Sequence, residues 1–94
     1  MYIAVAYEDT WFAGEVREVQ LNPDKNTIVQ TNFLSRSGIN SFKWPTREDV
    51  ANIDAKFILK EIHIQPKDSL LRAWSVMERA EVDELYQKFK QQYF

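Results

Sequence analysis

A chain of 94 residues with 45% hydrophobic and 14% aromatic side chains is long enough to bury a core of its own, and with two glycines and three prolines it has little flexible linker. The absence of cysteine excludes a disulfide framework and thiolate zinc sites, and fits a reducing compartment, so an intracellular location, nuclear or cytoplasmic, is expected. Twelve basic against 14 acidic residues, evenly spread, give no dominant basic face for nucleic acid, and no apolar run is long enough to span a bilayer.

In chain order, Tyr2–Tyr7 is apolar and includes Ile3 and Val5, which suits a short buried strand. Glu8, Asp9 and Thr10 interrupt it, and Trp11–Leu21 resumes as an alternating strand. Phe12, Gly14 and Val16 share its inward side, with Trp11 and Ala13 on the other. Gly14 in mid-strand predicts a bend or a close backbone approach. The stretch from Asn22 to Asn26 is turn chemistry, Thr27–Phe33 a third strand rich in β-branched residues, and Leu34–Gly38 a connecting loop.

Ile39–Trp44 reads as a fourth strand stopped by Pro45. Single helical turns are expected at Thr46–Val50 and Asp54–Lys56, then a fifth strand over Phe57–Ile64. Leu70–Trp74 fits either an extended piece or the first turns of a helix. Ser75 and Glu78 have capping-box spacing, which predicts a helix over about 76–93. Its apolar stripe is Val82, Leu85, Tyr86, Phe89 and Tyr93.

The first hairpin, Val5-Ala6-Tyr7-Glu8-Asp9-Thr10-Trp11-Phe12-Ala13-Gly14-Glu15-Val16, crowds aromatics around an acidic turn. That pattern, with Phe42-Lys43-Trp44-Pro45 and Glu48-Asp49-Val50 downstream, resembles the Tudor-like barrels of the Royal superfamily, including modules of chromatin and mobile-element-associated proteins. The resemblance covers Tyr2 to about Ile64. It implies a mainly β fold, a small five-stranded SH3-like barrel over residues 1–64, with 65–94 a C-terminal extension whose helix packs on it. It also implies an aromatic cage at the open end of the barrel, built from Tyr7, Phe12 and Phe33, with Asn32, Asn40 or Phe42 serving as the fourth member.

Ring faces attract a poorly hydrated cation such as a methylated ammonium or guanidinium by about 0.5–2 kcal/mol each. Glu8 and Asp9 supply carboxylates at the rim, and Trp11, of opposite parity to Phe12, belongs either to the binding surface or beneath the helix, with burial preferred. The competing reading is that Tyr7, Phe12, Phe33 and Phe42 simply fill a small core. His63 is the single histidine, so no zinc constellation or catalytic triad is expected, and the two glycines, at 14 and 38, make no phosphate loop. No cofactor and no enzyme activity are expected.

Three functions follow. The first is a reader of a peptide, with methylated lysine or arginine as the candidate mark. The second is a protein-interaction or assembly domain, homo-oligomers included, that uses a sheet edge or the helix through Leu85, Phe89 and Tyr93. The third is a nucleic-acid-binding barrel using Arg36, Lys43, Arg47 and an exposed Trp44, which the charge balance disfavours.

Overall fold

A computed structural model describes residues 1–24 and 26–94. Strands β1 (Tyr2–Ala6) and β2 (Trp11–Leu21) form the expected hairpin, Ala6 opposite Trp11 and Tyr2 opposite Glu15. The Tyr7 N–H donates to the Thr10 carbonyl at 2.8 Å and closes the turn over Glu8 and Asp9. β2 pairs with β3 (Thr27–Phe33), with an irregularity between Val16 and Glu18. Asn22 N–H donates to the Asn26 carbonyl in the intervening turn, as expected; Lys25, also within that predicted turn, lies outside the described residues.

Past Leu34 the chain continues into a small hairpin, β4 (Ser35–Gly38) and β5 (Ser41–Lys43), reversed at Asn40 with φ 47°. Strand β6 (Val50–Asp54) then joins the outer side of β3. A 3₁₀ turn, Ala55–Phe57, leads to β7 (Ile58–Ile62), which pairs with β1 at the opposite edge. Asp54 caps that turn by accepting from Lys56 N–H at 3.0 Å. β8 (Ile64–Pro66), β9 (Trp74–Val76) and helix α1 (Arg79–Tyr93) complete the chain. The larger sheet has the order β6-β3-β2-β1-β7 and the smaller β4-β5-β9-β8. The fold is therefore mainly β, two antiparallel sheets and a C-terminal helix. The outer strands β6 and β7 are joined by the 3₁₀ turn and are not paired with each other.

Both faces of the larger sheet are covered. On one, the small side chains of Ala4, Ala6 and Ala13 let a second layer approach, and Trp11, Leu34, Phe42, Ile62 and Val76 pack there with Val82 and Tyr86 of α1. The other face buries Ile3, Val5, Val29 and Phe33, flanked by Tyr7, Phe12, Val16, Ile53, Phe57 and Ile58. Every member of this second cluster belongs to the sheet, its hairpin turn or its 3₁₀ turn, so the sheet curls over its own side chains. Gly14 permits the curl: a Cβ there would collide with Thr31 Cγ2 and stand 3.2 Å from Phe33 Cδ1, the close approach expected of it.

Several elements differ from the sequence reading. The Leu34–Gly38 loop is strand β4 from Ser35, and the fourth strand is only Ser41–Lys43. No helical turn forms at Thr46–Val50; Val50 instead opens β6, whose Ala51 and Ile53 alternate toward the curled face. The fifth strand breaks at His63 into β7 and β8. The capping box does not form, because Ser75 sits in β9 opposite Gln65, where strand pairing outweighs a local cap. The helix begins at Arg79, and the Glu78 carboxylate accepts from the His63 backbone N–H at 2.8 Å. Leu70 and Leu71 are exposed in a loop, and Trp74 opens β9.

Candidate functional site

Three rings converge where β1, β2 and β3 reach one rim of the curled sheet. Tyr7 follows the end of β1, Phe12 is the second residue of β2, and Phe33 ends β3; the antiparallel register aligns these positions. Tyr7 stands edge-on to both neighbours, its centroid 5.4 Å from Phe12 at 87° and 5.8 Å from Phe33 at 71°. Phe33, 4% exposed, is the floor, and half-buried Tyr7 and Phe12 are walls. With Leu34, Ser35, Arg36, Asp49 and Ala51 they line a depression of about 430 Å³.

Two charged residues complete it. Asp49 is fixed by its backbone: its N–H donates to Asn32 Oδ1 at 3.1 Å, and its carbonyl accepts from Phe33 N–H at 2.9 Å. Burial, and then the Asp49 charge, push the Tyr7 hydroxyl above its ordinary pKa, and Asp49 itself is exposed. On the other flank the Arg36 guanidinium carbon lies 4.8 Å from the Trp11 ring, 4.8 Å from Phe42 and 5.7 Å from Phe12. Its Nη2 donates to the Trp11 carbonyl. Burial draws the guanidinium's pKa down; Asp83 and Asp9 oppose that and Arg79 adds to it.

Beneath the rim, α1 holds the hairpin. Tyr86 Oη donates to the carbonyls of Tyr7 at 2.7 Å and Glu8 at 3.0 Å. Trp11 Nε1 donates to Asp83 Oδ1 at 2.8 Å, and Asp83 also pairs with Arg79. The Tyr86 hydroxyl is pushed above its ordinary pKa by burial, then by Asp9 and Glu8. The tip of the acidic turn is thereby fixed relative to the three rings.

The structure thus brings Tyr7, Phe12 and Phe33 together but places other sequence candidates elsewhere. Trp11 and Phe42 are buried on the opposite face, 5.6 Å apart, and offer their rings to Arg36. Glu8 and Asp9 are exposed on the turn and do not line the depression; Asp49 is its carboxylate. Asn32 is buried and serves by holding Asp49, while Asn40 bonds Val76 in the second sheet through both N–H and carbonyl. Trp44 is exposed, 6.4 Å from Tyr2. Leu85 and Phe89 are half-buried, and Tyr93 is exposed beside Phe89 at 4.5 Å. Of the three cations in the nucleic-acid reading, Arg36 is half-buried and stacked, leaving Lys43 and Arg47 on the surface. Sequence reasoning named Arg36 only as a nucleic-acid contact and missed Asp49; the one signal for their place at the notch was their position just after β3 and just before β6.

Among the described residues no group of three or more His, Cys, Asp or Glu is placed to hold a metal ion, and no helix is long and apolar enough to cross a membrane. No family model matches the chain, and no curated protein or solved structure matches it significantly.

Proposed function

We propose that this chain is a non-catalytic binding module of Tudor-like type that reads a cationic side chain on a protein or peptide, a methylated lysine or arginine, in the notch of Tyr7, Phe12 and Phe33. The observation that carries the reading is the convergence of three rings, with Tyr7 edge-on to both Phe12 and Phe33, and of Asp49 in one depression. Support for the SH3-like barrel comes from a five-stranded sheet curled over Ile3, Val5, Val29 and Phe33, its outer strands linked by one 3₁₀ turn. A chromatin-associated tail is the kind of partner this implies.

Methylation spreads and dehydrates the positive charge of an ammonium, so ring faces compete with water for it more effectively than for bare lysine. Asp49 adds Coulomb attraction and accepts a hydrogen bond from incompletely methylated forms. Arg36, which also lines the depression and lies 5.7 Å from the Phe12 ring, repels a ligand cation and favours its seat on the side of Tyr7 and Asp49. Phe12→Ala and Tyr7→Ala, each checked for native circular dichroism, are expected to weaken a trimethyllysine peptide about tenfold, the loss of one ring worth about 1–2 kcal/mol. Binding unchanged in both folded variants contradicts the proposal.

A further inference from the structure

A second depression, of about 500 Å³, opens beside the first and shares Tyr7 with it. It forms a seam between the end of β1 and β6, closed by the 3₁₀ turn, and is walled by Val5 of β1, Ile53 of β6, Phe57 of the 3₁₀ turn and Phe94 after α1. Its polar residues include the two carboxylates Glu8 and Asp54, and among the described residues no lysine, arginine or histidine lines it. Among the described residues neither carboxylate has an ion-pair partner. Asp54 commits Oδ1 to the Lys56 N–H. Among the described residues β6 pairs only with β3, so its other edge presents backbone donors and acceptors to the seam.

An apolar trough, a rim bearing the Glu8 and Asp54 carboxylates and an edge strand together favour one kind of guest, although Lys56 Nζ already lies 5.1 Å from the Phe57 ring. We propose that the seam is a docking site for an extended basic segment of a partner protein, which adds to the edge of β6, sets a large aliphatic side chain between Val5, Ile53 and Phe57, and turns flanking lysines or arginines toward Glu8 and Asp54. Edge pairing supplies affinity, and the trough with its rim supplies selectivity. The assignment does not depend on methylation and goes beyond the cation notch, although the shared wall at Tyr7 allows one ligand to occupy both.

The test is an amide NMR titration of the full chain with the unmethylated peptide acetyl-Ala-Arg-Leu-Arg-Ala-amide, beside two controls in which serine replaces leucine or glutamates replace both arginines. Shifts are expected at Val5, Ile53, Asp54 and Phe57, stronger in dilute buffer than at high salt, with each control binding about tenfold more weakly. Phe94→Ser alters an exposed wall and Asp54→Asn removes a rim charge. Each is expected to cut affinity severalfold with the rest of the spectrum native. Equal response to all three peptides, or shifts absent from the seam, overturns the proposal. Shifts confined to Tyr7, Phe12 and Phe33 also overturn it while leaving the cation notch standing. Seam shifts with no response of the notch to methylated amino acids uphold it alone.

Discussion

Tyr86 joins the helix to the acidic turn through a single hydroxyl that donates to two carbonyls. Tyr86→Phe is expected to cost about 1 kcal/mol in urea denaturation, since the ring still packs and only the hydrogen bonding is lost. Because its folded pKa is raised, its contribution is fully present below the unfolded value of about 10 and is lost as pH rises through the higher folded value. Stability measured from about pH 8 to pH 11 should therefore fall more in the parent than in Tyr86→Phe. At Gly14, an alanine Cβ would strike Thr31, and Gly14→Ala should destabilise by about 1–3 kcal/mol, read by thermal melting. These residues differ in how far the sequence discloses them. Gly14 and the three notch rings are legible because their strand positions and the hairpin register fix their direction. Arg36 and Asp49 are not: the contacts of Arg36 depend on how the β4–β5 hairpin folds back, and those of Asp49 on the pairing of β3 with β6, which local alternation does not encode.

Helix α1 shows the same divide between elements. Its stripe follows from periodicity, and Val82 and Tyr86 are buried as that stripe predicts. Its start does not, because the Ser75–Glu78 pattern competes with the pairing of β9 between β5 and β8, and the sheet wins. Glu78 instead bonds the His63 main chain and, through Oε2, the His63 ring Nδ1 at 2.5 Å. Burial pushes the Glu78 carboxyl up, but the hydrogen bonds from His63 outweigh it and hold its pKa below the ordinary range. A depressed carboxyl stabilises above the unfolded value of about 4.3 and ceases to do so as pH falls through the lower folded value. Glu78→Gln should accordingly flatten the acid limb of a stability profile taken from about pH 5 to pH 3. Val82→Ala removes two methyl groups from a fully buried site and should cost about 2 kcal/mol by the same denaturation assay.

At the scale of the whole molecule, the larger sheet has two buried faces with separate duties. One anchors the helix and the smaller sheet; the other curls into a core whose rim carries the rings. Mainly β architecture with a C-terminal helix was legible from strand alternation and turn residues, whereas the second sheet was not, since its three- and four-residue strands are too short to show a period. Charge also acts at this scale. The net charge is only -2, yet Glu8, Asp49 and Asp54 border the two depressions, so association with a basic peptide should slow as ionic strength rises in stopped-flow mixing. The central claim, that the rim reads a methylated cation, is tested most directly by titrating the chain with trimethyllysine and symmetric dimethylarginine as free amino acids beside their unmethylated forms, followed by amide NMR. The account predicts selective shifts at Tyr7, Phe12, Phe33 and Asp49 with a methylated ligand; silence at millimolar concentration, or equal shifts with the unmethylated forms, would contradict it.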